Sequence, residues 1–380
     1  MIYLGVLKEP HHIGQRYSDN ASDIYCSFCG RKGIGSLSGF DKVIYAPNIH
    51  TGGGEVLLVS LLELLQEHPN TLYIFDERME LPLSIKTPQN IIRIKHSFFS
   101  RLIAEIRLSN DVGDSGTVLC LGNLPPFFSV KADVVLFIQN RLLVDKEMLK
   151  NVSFLNRAKI MIQRMWLKYR NNSVQRVIVQ TRAMQNLTSE AQDRQVDVLP
   201  FFDINSLQHD SETESVKQKY DYIYVASGDP HKNHRNLILA WVELAKRGYY
   251  PSLCLTLKET SSYKLVSWIS YIKEKYQLNI YMVGEIAHKK IQDYYRASSA
   301  LIYPSYTESF GLPLIEAASI GMPILASKLS YVHDVVEPTL TFDPNSPDSI
   351  MSAVMLNANA SAKLSVKLVS PKEFISNVFG

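Results

Sequence analysis

The 380-residue chain reads as two open α/β domains in tandem, and three observations carry that reading. Short β-branched apolar runs alternate with helix-compatible stretches, as in a parallel sheet covered on both faces. The alternation stops at a polar segment just past residue 200 and then starts again. At roughly 150 residues per domain the length allows two such domains and a surplus. We divide the chain into an extension of unassigned role at 1–40, a first domain at 41–200 and a second at 201–380.

Residues 1–40 have neither helical nor strand periodicity. From Asp41 the pattern sharpens: KVIYAPNI is a short strand, HTGGG a turn, and EVLLVSLLELLQEH a helix with Val56, Leu57, Val59, Leu61, Leu64 and Leu65 in helical register. Further strands are expected at 71–75, 91–94, 117–121, 133–138 and 176–180. After the polar stretch 203–221, strands are expected at 222–227, 252–257, 279–285, 299–305 and 323–327, with a helix over 237–248. Ligands of open α/β sheets bind at the carboxyl ends of the strands, which places a site in the cleft between the two halves.

Composition removes several classes. With 46% hydrophobic and 20% charged residues the chain is an ordinary globular sequence, not a disordered or fibrous one. Forty basic against 37 acidic side chains leave a net charge of +3, too balanced to argue for a nucleic-acid partner. Cys26, Cys29, Cys120 and Cys254 are too few for a disulfide scaffold and suit a reducing compartment. Cys26-x-x-Cys29 looks like half a zinc knuckle, with His11 and His12 the only nearby further ligands and at an unusual spacing, so reduced thiols are the expectation over zinc. The N-terminus lacks the pattern of a signal peptide, and no apolar run approaches the ~20 residues that span a bilayer. A cytoplasmic protein, peripheral to a membrane at most, is expected.

The most informative stretch is residues 300–327, ALIYPSYTESFGLPLIEAASIGMPILAS. A strand ends at Tyr303, a polar loop carries Glu308, and Gly311-Leu312-Pro313 opens a helix that carries Glu316. The start of such a helix presents unpaired N–H groups and partial positive charge, which suit a phosphate. Glu316, about a turn further on, can accept hydrogen bonds from sugar hydroxyls. A second anchor is YVASGDPHKNHRNLILAW, where Lys232 follows a strand and offers a point charge to a diphosphate.

With these residues the chain resembles the retaining nucleotide-sugar glycosyltransferases of the GT-B type, family 4, also called group 1. The likeness runs in order from about residue 41 to about residue 350 and is strongest at Tyr303–Ser327, whose ESFGLPLIE matches the Glu-x7-Glu signature. The resemblance implies two Rossmann-like domains facing each other across a cleft. It implies that Glu316 binds the donor ribose, that Glu308 binds the transferred sugar, and that the backbone of Phe310, Gly311 and Leu312 meets sugar and diphosphate. Lys232-Asn233 matches the family's pyrophosphate contact. Where the family often has an arginine five residues before that lysine, this chain has Ser227, with His234 or Arg235 as possible substitutes.

The first half is less specific. The loop holding Gly52, Gly53 and Gly54 is neither a dinucleotide fingerprint nor a P-loop, yet it permits close approach of a ligand. In the resembled family it faces the diphosphate and the acceptor. At the end of the strand 133–138, where many relatives have a histidine, this chain has Gln139, Asn140 and Arg141, which bind a sugar but supply no base.

The expected chemistry is transfer of a sugar from a nucleotide-sugar donor to a saccharide or lipid-linked saccharide acceptor. The resemblance implies retention of configuration and a role in bacterial surface polysaccharide such as O-antigen or capsule. Lys232 and the helix start stabilise the departing diphosphate. No Asp-x-Asp occurs, so neither metal nor another cofactor is expected. A glycosidase using Glu308 and Glu316, a nucleotide-sugar epimerase and a non-catalytic nucleotide-sugar-binding partner remain as alternatives. Residues 157–176 carry six Lys or Arg and no acid. On a helix, Ala158, Met161, Ile162, Met165 and Tyr169 are expected to face the core, and Ile160 and Leu167, flanked by Arg157, Arg164 and Lys168, to face an anionic membrane.

Overall fold

The computed structural model describes residues 39–380 apart from 67, 69, 83–84, 86–89, 96, 149–153, 208–218 and 357–359. Nearly all of the expected extension, with Cys26, Cys29, His11 and His12, lies outside the described residues.

In the first half β1 (Phe40–Ala46), β2 (Thr71–Asp76), β3 (Ile91–Ile94), β4 (Val112–Cys120), β5 (Asp133–Phe137), β6 (Arg176–Val179) and β7 (Asp197–Val198) form a parallel sheet in the order 3-2-1-4-5-6-7. The helices between them are α1 (Gly52–Leu65), α2 (Phe98–Asp111), α3 (Phe154–Tyr169) and α4 (Arg182–Gln192). The run VIYA is fully buried because a parallel strand is covered on both faces. Helix α1 buries Leu57, Leu58, Leu61, Leu62 and Leu65, while Leu64 faces outward.

The second half repeats the plan. Strands β8 (Tyr220–Tyr224), β9 (Leu253–Leu255), β10 (Ile280–Met282), β11 (Ser298–Tyr303), β12 (Ile324–Ser327) and β14 (Leu340–Phe342) form a parallel sheet in the order 10-9-8-11-12-14, and β13 (Val336–Glu337) pairs antiparallel with β15 (Lys363–Leu364). The helices are α5 (His234–Lys246), α6 (Glu259–Tyr276), α7 (His288–Arg296), α8 (Leu312–Ser319), α9 (Ser330–His333), α10 (Pro347–Met355) and α11 (Pro371–Phe379). In each sheet the strand order reverses beside the first strand, between β1 and β4 and between β8 and β11. A crevice opens at such a switch point.

The last helix returns to the first sheet. Phe374 of α11 lies 5.5 Å from Phe137 and 4.0 Å from Phe201 between ring centroids, and Arg176 donates to the carbonyl and side chain of Asn377 at 2.9 and 2.7 Å. A capping box of Ser370 and Glu373 starts this helix.

Helix α3 turns the opposite way from the sequence expectation. Ile160 and Leu167 are buried, whereas Met161, Ile162, Met165 and Tyr169 are exposed. Arg164 also points inward, donating to the carbonyls of Leu142 and Asp145. Both stripes of the helix are apolar, so periodicity did not decide between them; the carbonyls waiting for Arg164 do.

Candidate functional site

Two loops of the second half converge at its switch point. After β8 the chain makes a short 3-10 turn at Pro230–Lys232, and after β11 it runs through Pro304–Phe310 into α8. The loops are tied together: Tyr306 N–H donates to the His231 carbonyl at 2.8 Å, and the buried Tyr224 hydroxyl donates to the Lys232 carbonyl at 2.7 Å. Across them Lys232 Nζ lies 2.7 and 2.8 Å from the two oxygens of Glu308, with only 15% and 10% of the two side chains exposed. Burial raises the hydroxyl pKa of Tyr224, Tyr303 and Tyr331 well above the usual value, and the Glu308 charge adds to it.

Gly311 adopts φ +80, the left-handed region that favours glycine, and Pro313 sits in the first turn of α8. Phe310 and Gly311 are buried and Leu312 half-buried, so what this corner offers a ligand is mainly backbone N–H. One turn along, Glu316 is almost wholly buried. Its Oε1 lies 3.0 Å from His288 Nε2 and its Oε2 accepts from Tyr295 Oη at 2.8 Å. Tyr295 is enclosed, whereas 32% of the His288 side chain is exposed, so the histidine is the edge of this cluster that a ligand reaches first.

The remaining residues of the phosphate anchor take other parts. Asn233, at φ +58, spends its amide N–H bonds on the carbonyls of Pro304 and Pro344 at 3.0 and 2.7 Å, and so fixes the loops rather than presenting an amide donor. Ser227 donates to Asp229 at 2.7 Å and is exposed at the rim. His234 is no substitute for a phosphate-binding arginine: it is buried against Tyr224, neither ring nitrogen has a hydrogen-bond partner, and burial, with Lys232 adding, pushes its pKa down to about 3. Arg235 lies over the Trp268 ring at 4.8 Å and is engaged there.

The first half supplies the facing wall. The glycines are not a loop ahead of α1 but its first turn, with Thr51 at the N-cap making no side-chain cap and Gly52 at φ +72. A Cβ on Gly53 would stand 3.1 Å from Leu312 Cδ1, and one on Gly54 would stand 3.6 Å from Gln139 Oε1. The glycine turn therefore touches both the α8 start and the loop after β5. Asn123, at φ +66, shapes that loop, its Oδ1 accepting from the backbone N–H of Gln139 at 2.6 Å and of Asn140 at 2.8 Å. Asn140 Oδ1 in turn accepts from Leu142 N–H at 3.0 Å. Thr181 Oγ1 donates to the Ser309 carbonyl at 3.2 Å, and Asp334 accepts from Ala183 N–H at 2.7 Å, two bonds that tie the first half to the second.

The sequence reading missed four groups here. His288 and Tyr295 lie 28 and 21 residues before their partner Glu316, beyond any local motif. His50 places a buried Nδ1 4.0 Å from Asp76, whose carboxyl is held below its usual range by Arg78 despite burial. Glu55, in the first turn of α1, has its carboxyl pKa raised by burial, with the charges of Glu285 and Glu80 adding to it. A histidine beside a glycine turn was the available signal for His50.

Residues 206–363 match the family model described as glycosyl transferases group 1. Among curated relatives, O-antigen chain mannosyltransferase B of Escherichia coli is 28% identical over 158 residues, covering 37% of this chain and 39% of that protein. The probable sucrose-phosphate synthase of Vicia faba is 31% identical over 153 residues, covering 34% and 14%. The matches thus span less than two fifths of either relative's length. Among solved structures, Anabaena Alr3699/HepE in complex with UDP and glucose superposes with a TM-score of 0.65 at 13% identity over 84% of this chain and 92% of that one. Sucrose-phosphate synthase from Thermosynechococcus elongatus gives 0.61 at 16% identity over 84% and 92%. At such identities the likeness concerns architecture: the chain has the GT-B fold, two Rossmann-like domains facing each other across a cleft.

Proposed function

We propose that the protein is a glycosyltransferase that moves a sugar from a nucleotide-sugar donor to a saccharide acceptor with retention of configuration. The observation that carries this reading is the Lys232–Glu308 pair set between the two loops of the second switch point, beside the N-terminus of α8. The donor diphosphate is held by Lys232 and the α8 N–H groups, the ribose by Glu316 with His288 beside it, and the transferred sugar by Glu308. The acceptor enters along Gly52–Gly54, Gln139 and Asn140. Its hydroxyl oxygen bonds to the anomeric carbon on the face from which the diphosphate leaves, the carbon–phosphate-oxygen bond breaks, and the hydroxyl proton passes to the departing phosphate. No protein nucleophile is needed. Fixed positive groups stabilise the charge that grows on the leaving group.

We further propose that neither metal nor another cofactor takes part, so that activity survives chelation of divalent ions. The acceptor is proposed to be lipid-linked and the product a bacterial surface polysaccharide, made on the inner face of the cell membrane; the O-antigen mannosyltransferase relative supports that assignment. A glycosidase is disfavoured because Glu308 and Glu316 have no partner in common: one is paired with Lys232, the other enclosed by His288 and Tyr295.

The test is thermal-shift screening against GDP-, UDP- and dTDP-sugars, followed by release of free nucleotide with acceptor present. A donor that stabilises the wild type but neither Glu316→Ala nor Lys232→Ala supports the site. Stabilisation retained in both variants removes it, and binding without turnover for any acceptor identifies a non-catalytic partner instead.

A further inference from the structure

The outer side of the first half carries an apolar surface that the cleft chemistry does not use. On α3, Phe154 and Leu155 are 82% and 80% exposed, and Ile162, Met165 and Tyr169 are 65%, 68% and 75% exposed, with Met161 beside them. On α2, Phe99, Ile103 and Ile106 recur at helical spacing and are likewise exposed. The two helices cover the same face of the first sheet, since their inward residues Ala104, Leu108, Ile160 and Leu167 share one core cluster. Arg101 of α2 lies 4.5 Å from the Trp166 ring of α3 and joins them side by side. The exposed residues therefore sit on neighbouring helices over one face of the sheet, with Phe127, itself part-exposed, packed edge-on against Trp166 at 5.5 Å. Isolated exposed apolar side chains need no explanation, but a patch of this extent on one face marks an interaction surface.

Charge selects the partner. Helix α3 has no acidic residue in its 16 positions, while Arg157, Lys159 and Lys168 are exposed around the apolar centre. Glu105 of α2 faces inward, where it accepts from Tyr45 and Arg101. Long basic side chains reach past an apolar strip to phosphates while the strip itself enters the acyl boundary. Among the described residues no helix is long and apolar enough to cross a membrane. We propose that the α2–α3 face is a docking surface for a bilayer containing anionic lipid, with the apolar residues inserted at the headgroup level and Arg157, Lys159 and Lys168 on the phosphates.

This inference is independent of sugar transfer, because vesicle binding is read without donor or acceptor. The experiment is flotation of the full-length protein with phosphatidylcholine vesicles and with vesicles containing about 30% phosphatidylglycerol, together with light scattering. The wild type is expected to float with the anionic vesicles and to be released by salt. Ile162→Glu with Met165→Glu should lower the partition at least about tenfold, and Ile103→Glu on α2 should lower it independently. Replacing Arg157, Lys159 and Lys168 by Gln should lower binding to anionic vesicles about fivefold per charge. Leu356→Glu, an equally exposed apolar position on the second half, should leave binding unchanged. All these positions are exposed, so each variant should keep the wild-type melting temperature. Failure of the wild type to float, or full binding by the α3 and α2 variants, overturns the proposal. A wild-type dimer that Ile162→Glu dissolves would assign the face to a second copy and overturn it equally.

Discussion

The two sheets have the same opening strand order, 3-2-1-4-5-6, yet their switch points are furnished with different chemistry. In the second half the loops after β8 and β11 carry Lys232 and Glu308, already engaged with each other, and α8 carries Glu316, in contact with His288 of α7. In the first half the equivalent places carry glycine and amide: Gly52–Gly54 after β1, Asn123 after β4, Gln139 and Asn140 after β5. Topology fixes where a ligand can lie, and side chains decide what it can be. Fixed charge at one wall and open backbone at the other suit a charged group held on the second half and a less demanding, neutral group admitted by the first.

The largest effect expected from this contrast is at Lys232. In the proposed mechanism its removal withdraws positive charge from the departing group, and it leaves Glu308 as a mostly buried carboxylate without its partner. Turnover measured as nucleotide release in Lys232→Ala should fall about 10³-fold. Lys232→Ala combined with Glu308→Gln should recover the melting temperature without recovering turnover. A fall below tenfold would make the pair structural and erase the distinction between the two walls.

The next effect is on binding. Glu316→Gln keeps the shape but gives up charge-assisted hydrogen bonds, worth about 1.5–3 kcal/mol, so the donor dissociation constant should rise about 10- to 100-fold. His288→Ala should weaken the donor less than Glu316→Gln does, because Tyr295 still orients the carboxylate. Calorimetric titration with the donor found in the screen separates the two. Equal losses would show that the ligand meets the histidine rather than the glutamate.

These expectations rest on residues of unequal legibility. Lys232, Glu308 and Glu316 were visible because each sits within a few residues of a strand end and a helix start, where sequence distance and spatial distance agree. Tyr295 and His288 were not, because they reach Glu316 from α7, across a whole βα unit. Asn123 was invisible for a different reason: its role lies in a left-handed backbone and two accepted N–H bonds, neither of which leaves a pattern. The longer parallel strands were legible, since they are continuous apolar runs, whereas β7, β13, β14 and β15, of two or three residues each, leave too short a run to read. The orientation of α3 was not, since it depends on the Leu142 and Asp145 carbonyls that capture Arg164.

The second half should also be the more acid-sensitive. Buried His234 has its pKa pushed down to about 3, against 6.5 for an ordinary imidazole. The unfolded chain takes up a proton near the ordinary value and the folded one does not. Above about pH 6.5 the folded state therefore bears no penalty from this group. As the pH falls from there toward 3, stability should decline by about 1.4 kcal/mol per unit from this group alone. Urea unfolding of His234→Phe should show a shallower loss between pH 6.5 and 5 than the wild type. Parallel curves would mean that the loop opens to hydrate the ring.

The smallest effects test the open wall itself, and they are expected to separate within three consecutive residues. At Gly52 a side chain has free space but the wrong backbone, φ +72, so Gly52→Ala should lower stability by about 1 kcal/mol and leave kcat within about twofold. At Gly53 the backbone is permissive but a Cβ meets Leu312 Cδ1 at 3.1 Å, so the tip of that half-buried side chain must give by a few tenths of an ångström. Gly53→Ala should therefore keep or slightly raise the melting temperature, since alanine is the better helix former, while raising KM about threefold through the displaced Leu312 side chain beside the α8 start. If Gly53→Ala instead left both donor and acceptor KM unchanged, the glycine turn would be serving helix α1 alone, and the first switch point would have no part in the site.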